Sequence, residues 1–292
     1  MRFVCFFFVL LFSISAHCEI TEEGIGVLFG SEHLFAAKAE KGWVLDNQSG
    51  TRQGVHMLFY PLGETWAKSP VMIYGRSATL PRTTTIGDFV KKTEADFHNN
   101  GSPDYKGKYI GKIYTVHNKS ADIYHYSGDQ WGNFEAVAYF RETDSVNFLV
   151  FNARTKESFD KYVSDFERIA KSYVNMFKSP QTTPKGLHKQ LKEESDSHIV
   201  SEEGQQYEKK AVSDKGRAIA NIMRGCFSYM KDEEFPDFEY LVRINKNGNI
   251  DGSYVFPTNS LTNCFRGLMM FETYPKHNFE TFVLSLNMKS KQ

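Results

Sequence analysis

Few residues in this chain have the types and spacing for chemistry. His117, Asp122, His125 and Asp129 lie close together in sequence. A metal site needs three or four such ligands converging at about 2.0–2.2 Å. On neighbouring strands these side chains could face one another. They suit equally well the exposed polar positions of a half-solvated sheet, and the expectation is that no metal is held. Ser77 follows Gly75 in GRSAT, which is not the Gly-x-Ser-x-Gly elbow of a hydrolase, and no histidine is placed to pair with it. Gly24-Ile25-Gly26 has no strand before it and fails the context that a phosphate loop requires. No catalytic residue is assigned and no cofactor is expected. Trp66 and Trp131 sit in polar, turn-rich stretches, GETWAKSP and SGDQWGN. Exposed loop aromatics mark binding surfaces, so both are binding candidates. The competing reading makes them lids over the ends of a sheet.

The chain has 4 cysteines, Cys5, Cys18, Cys226 and Cys264. The last two are 38 positions apart, with no Cys-x-x-Cys and no paired histidines, which makes a poor zinc site. A disulfide between Cys226 and Cys264 is expected if the chain is exported; free buried thiols are the alternative. Both fall on apolar helix faces, which argues against a nucleophilic cysteine.

Export is expected from the N-terminus. Residues 1–18 read MRFVCFFFVLLFSISAHC: Arg2, then an apolar run from Phe3 to Phe12. The run is too short for a bilayer, which takes about 20 residues, and suits a cleaved signal peptide. Cleavage falls after Cys18 or after Ala16. A lipoprotein acylated on Cys18 is the other option, but His17 fits it poorly. The reading is a periplasmic or secreted protein with no transmembrane span. The whole chain has 292 residues, with Lys+Arg 35 and Asp+Glu 35, so no net charge. That speaks against nucleic-acid binding. Aromatic residues at 15% point to β-rich packing rather than disorder.

Two regions must position whatever site exists. Residues 19–177 carry short apolar runs bounded by Pro and Gly, VHMLFY and PVMIYG among them. A helix over 86–98 has an apolar face, with Thr85 and Asp88 suited to a capping box. FEAVAYFR and SVNFLVFNA flank Glu142-Thr143-Asp144 as a hairpin, and a second helix follows over 156–176, capped by Thr155. The order predicts an α+β domain with an antiparallel sheet. With its Gly42-Trp43 pair, this order resembles the photosystem extrinsic subunit PsbP and the Mog1 family. That resemblance implies a sheet with helices on both faces, and a binding module rather than an enzyme.

Residues 178–213 contain Pro180, Pro184 and runs of charge with almost no apolar residues, which reads as a polar linker with transient helix around Leu187 to Glu194. Residues 214–292 follow the order αββαβ. A helix over 214–231 carries Ile219, Ile222, Met223, Cys226, Phe227 and Met230 on one face. Asn247-Gly248 joins two strands as a hairpin, Ser260 caps a helix over 260–271, and a strand over 279–288 ends the chain. The Ile244-to-Gly248 hairpin, that helix and the following Tyr274-Pro275 make this domain resemble the C-terminal domain of TonB. Among such bacterial envelope proteins a variant has a cysteine in each helix, and Cys226 and Cys264 sit at comparable places. The resemblance implies a protein-interaction domain with an envelope partner. The expected function is an exported, non-enzymatic binding or scaffolding protein, two modules on a flexible tether. The alternative is an exported hydrolase whose site is assembled from residues distant in sequence.

Overall fold

The computed structural model describes residues 20–30, 33–176, 186–229 and 236–289. The expected signal peptide, Met230 and the first part of the expected linker lie outside the described residues.

The first unit is built from β1 (Ile20–Glu22), β2 (Ile25–Gly30), β3 (His33–Lys38), β4 (Trp43–Asp46), β5 (Leu58–Pro61), β6 (Val71–Thr79), α1 (Ile86–Asn99), β7 (Lys106–Tyr114), β8 (Ser120–Ser127), β9 (Phe134–Arg141), β10 (Ser145–Ala153), α2 (Lys156–Lys171) and β11 (Val174–Asn175). The second has α3 (Leu187–His198), α4 (Glu202–Tyr229), β12 (Phe238–Asn245), β13 (Ile250–Phe256), α5 (Ser260–Met269) and β14 (Thr281–Met288). This is a mixed α+β fold.

The large antiparallel sheet has eight strands in the order β1-β4-β5-β6-β10-β9-β8-β7. Its central strands read as nearly continuous apolar runs because both faces are covered. In β10, Leu149, Phe151 and Ala153 join the core under α2, while Val146 and Val150 join the core under α1. The same alternation in β9 sends Ala136, Ala138 and Phe140 one way and Val137 and Tyr139 the other. The helices begin where local chemistry dictates. Thr85 and Asp88 form a reciprocal capping box on α1, each backbone N–H donating at 3.1 Å. Thr155 Oγ1 accepts from Ser158 N at 3.1 Å on α2. α2 stops at Lys171, short of the expected 176, and Tyr173 beyond it stacks on Phe140 with centroids 3.8 Å apart.

β11, β3 and β2 form a small sheet. One of its faces sends Leu28, Phe35 and Ala37 into the core under α2. The opposite face sends Val27, Leu34, Ala36 and Val174 into a core that also holds Tyr240, Val242, Cys226, Cys264 and Phe265 of the second unit. This sheet is a wall shared by two cores. α5 packs tightly on it: a Cβ on Gly267 would stand 2.1 Å from Met176 Cγ.

The second unit's sheet runs β13-β12-β14, all antiparallel. α4 and α5 line one face, and α3 covers the other through Leu191, Leu241 and Val283. The β12–β13 hairpin turns at Gly248, whose φ of +85° and closeness to the Tyr274 carbonyl require glycine. The expected linker is corrected here. From residue 187 to 213 the chain is helical except for a turn at 199–201, comprising the whole of α3 and the first part of α4, and it buries Leu191, Ser195, Tyr207 and Ala211. Apolar side chains recur only about once per turn there, so the charged residues between them dominate the composition. Those charges support the helix through i,i+4 pairs, Lys189–Glu193 at 3.7 Å and Lys192–Asp196 at 3.6 Å.

Candidate functional site

The strand order leaves β7 at an end of the large sheet, with no described strand beyond it. Its sequence, KGKYIGKIY, does not alternate cleanly, and only Ile113 is buried. The register slips between Tyr109 and Gly111, a bulge that leaves Ile110 without an opposite residue on β8. Tyr109 is 48% exposed, Ile110 46% and Tyr114 63%. Lys106, Lys108 and Lys112 are also exposed, and β7 contains no acidic residue. Lys112 Nζ lies 3.5 Å from Asp122 on β8. The Tyr109 ring rests edge-on against Tyr124, 5.3 Å between centroids. The result is an aromatic and basic edge, unpaired by any described strand, on which Glu94 of α1 already accepts from Gly107 N at 2.6 Å.

The edge ends beside Trp131. β7 starts opposite Ser127, and the loop after Ser127 carries Trp131, 69% exposed. A shallow cleft of about 270 Å³ there is lined by Asp96, Phe97, Asn100, Ser102, Gln130 and Trp131. Asp129 shapes that loop, accepting from Asn133 N at 2.7 Å, from Asn133 Nδ2 at 2.8 Å and from Trp131 N at 3.2 Å. Trp66, the other tryptophan candidate, is half-buried against Val44, Val55, Leu58 and Tyr60, four strands away across the sheet. The two tryptophans therefore do not form one surface.

The four metal candidates are not brought together. Asp122 and His125 sit on one strand at odd spacing, so they project from opposite faces. His125 stands edge-on to Phe159 at 5.0 Å, and burial holds its pKa below the ordinary value. His117 lies in the turn after β7, and Asp129 is occupied in its own loop. Among the described residues no group of three His, Cys, Asp or Glu could hold a metal ion. Ser77 Oγ donates to Asn147 Oδ1 at 2.8 Å, Asn147 Nδ2 donates to Tyr173 OH at 2.8 Å, and Tyr173 donates to Glu142 at 2.9 Å. That chain ends on a carboxylate already receiving Lys119 Nζ and Asn175 Nδ2. The serine has an amide for a neighbour, not a base.

A second polar seam lies under α1. Glu135 accepts from Tyr105 OH at 2.8 Å and from Asn152 Nδ2 at 2.9 Å, and the Tyr126 and Tyr139 hydroxyls meet at 2.8 Å. Burial is the main reason the Glu135 pKa is raised, and the same burial keeps the surrounding tyrosines neutral. These groups satisfy one another beneath stacked Phe97 and Tyr105, 4.0 Å between centroids.

Cys226 and Cys264 are fully buried and stand at disulfide distance, with Cα atoms 5.8 Å apart. No helix of the described residues is long and apolar enough to cross a membrane.

No family model matches the chain, and no curated protein does. Solved structures similar to it include cyanobacterial PsbP from Synechocystis sp. PCC 6803, with 13% identity, a TM-score of 0.35, and coverage of 52% of this chain and 93% of that one. The Ran-binding protein Mog1p of Saccharomyces cerevisiae is similar at 12% identity and a TM-score of 0.34, covering 53% of this chain and 95% of that one. A protein from Bacteroides thetaiotaomicron VPI-5482 shows 9% identity and a TM-score of 0.29 over 57% of this chain and 56% of its own. PsbP and Mog1 are the two names that the strand order and Gly42-Trp43 suggested for the N-terminal region. At these scores the likeness carries no argument about function, and the reading below is built on the geometry of this chain alone.

Proposed function

We propose that this chain is an exported, non-enzymatic binding protein of a bacterial envelope, and that it takes an extended acidic segment of a partner protein along the edge of β7. One observation carries the reading: the last strand of the large sheet exposes Tyr109, Ile110 and Tyr114 alongside three lysines. An added strand gains main-chain hydrogen bonds from an open edge, and the outward side chains select it. Lysines on an edge also repel a second copy of the same edge. That repulsion disfavours self-association and leaves an acidic segment as the complementary ligand. The charged-then-apolar residues 1–18 support export, and the αββαβ order with its Asn-Gly hairpin supports a TonB-like second unit. The shared wall of β2 and β3 replaces the flexible tether, so the protein presents its edge from one packed body rather than bridging two partners.

The test is selection of random displayed peptides on the purified protein, repeated on the double variant Lys108→Glu, Lys112→Glu. Enrichment of acidic peptides with alternating apolar residues on the wild type, and loss of that enrichment on the variant, is expected. Equal enrichment of peptides on both proteins, or no acidic preference, would overturn the reading.

A further inference from the structure

Where β7 ends, the turn of Val116, His117 and Asn118 meets β13 and α5 across a cleft of about 420 Å³. The cleft lies between the two units and is lined largely by polar groups: His117, Asn118, Asp251, Ser253, Tyr254 and Arg266. Arg266 is the unusual member. It is only 7% exposed, yet among the described residues no carboxylate pairs with it. Its Nε is buried without a partner. Nη2 reaches the Asn175 carbonyl only at 3.5 Å, and Nη1 lies 4.0 Å from Met270 Sδ. Guanidinium groups stay charged in proteins and present a rigid fork of donors. A buried charge that lacks both a counter-ion and good hydrogen bonds is costly, and proteins keep such a group where something else completes it.

Arg266 and His117 line opposite walls of the cleft. Burial, and then the charge of Arg266, push the pKa of His117 down. Asn118 holds a left-handed backbone at φ +60°, fixing the turn that carries His117. Ser253 Oγ donates to Tyr240 OH at 3.2 Å and lies 3.4 Å from the Arg266 carbonyl, so its hydrogen is already taken. Asp251 is the one carboxylate of the lining; it is exposed and accepts from Asn245 Nδ2 at 2.8 Å.

We propose that this cleft binds a small oxyanion, carboxylate or phosphate, with the Arg266 guanidinium as its fork-shaped anchor. Arg266 binds two anion oxygens in parallel, the pairing that its geometry favours. The Asn118 amide is a neutral donor in the lining, on the wall opposite Arg266. Because the walls come from both units, a bound anion draws them together and raises stability by mass action. The inference is independent of the β7 edge.

The experiment titrates the full mature chain with sodium phosphate and, separately, sodium acetate, with sodium chloride keeping ionic strength constant. The readouts are the NMR signals of Arg266 Nε–H and the His117 ring, together with the melting temperature. A saturable shift of both signals and a rise in melting temperature are expected with at least one of the two anions, and the responding anion identifies the ligand class. Arg266→Lys keeps the charge but loses the fork, and should bind about tenfold more weakly. Arg266→Met should abolish binding, and the lysine variant decides the matter if the methionine variant does not fold. Equal shifts with chloride, no saturation with either oxyanion, or unchanged binding in Arg266→Lys would overturn the proposal. Lys108→Glu should leave the titration unchanged; a loss there would also count against a separate site.

Discussion

The eight-stranded sheet and the three-stranded sheet of the second unit, β13-β12-β14, are finished in opposite ways. The eight-stranded sheet has helices of its own unit on both faces and leaves the edge strand β7 in solvent. The three-stranded sheet lies between α3 and the α4–α5 pair, yet its core closes only with Val27, Leu34, Ala36, Val174 and Met176 from the first unit. A sheet that is covered by its own helices can spend surface on recognition. A small sheet that depends on its neighbour's strands is a structural lock. Its cross-link and its shared wall both compensate for a small core.

The strongest way to break this comparison is to cut the lock. Replacing Cys226 and Cys264 together by Ala should cost about 4 kcal/mol for a loop of this length on the chain-entropy model. All three tryptophans lie in the first unit, so their fluorescence reports on that unit and hydrogen exchange in 186–289 reports on the second. Both probes should follow one shared, earlier denaturant transition. Early loss of exchange protection with unchanged tryptophan fluorescence would show that the units unfold independently.

Leu34→Ala tests the same lock from the other side. Leu34 belongs to β3 but packs in the second unit's core, and its truncation should cost about 3 kcal/mol. Exchange protection should fall in β12 and α5, far away in sequence. A loss confined to the first unit would contradict the shared wall.

Glu135 sharpens the comparison within the first unit, where a helix covers a polar seam. Its folded pKa is raised, chiefly by burial, so its stabilising form is the protonated one. That contribution is complete below the unfolded value of 4.5 and is lost as pH rises through the higher folded value. Glu135→Gln should remove this decline, giving a flatter stability profile above pH 4.5, read by denaturant titration across pH. An unchanged slope would place the titration elsewhere. The smallest effect is expected at the surface: Trp131→Ala should shift stability by no more than about 0.5 kcal/mol, because the side chain is mostly in solvent. A larger destabilisation in the same melts would make Trp131 a lid rather than part of a recognition surface.

What could be read in the sequence was local. The capping box of Thr85 and Asp88, the β9–β10 hairpin and the Asn247-Gly248 turn each depend on residues a few positions apart, and each stands where the spacing placed it. The expected pairing of Cys226 and Cys264 rested on the export reading and on the TonB-like resemblance, and the two stand at disulfide distance. What escaped was set by partners distant in the chain. β2 did not read as a strand, because one of its faces packs against the other unit. α3 looked like a linker because one leucine per turn suffices when a sheet supplies the rest of the core. β7 carried no edge signal until the strand order put it last, and Arg266 is one arginine among many until its surroundings are seen. Of the two tryptophan candidates, Trp131 lies beside the proposed edge and Trp66 does not, a distinction that loop composition alone does not make.

The central claim is that the edge of β7 is the recognition surface. The most direct measurement is amide hydrogen exchange across the whole chain, with and without an acidic peptide selected on the protein. The account predicts slowed exchange concentrated in residues 106–114, and loss of that protection in the Lys108→Glu, Lys112→Glu variant. Protection that appears elsewhere while 106–114 exchange as fast as in the free protein would contradict it.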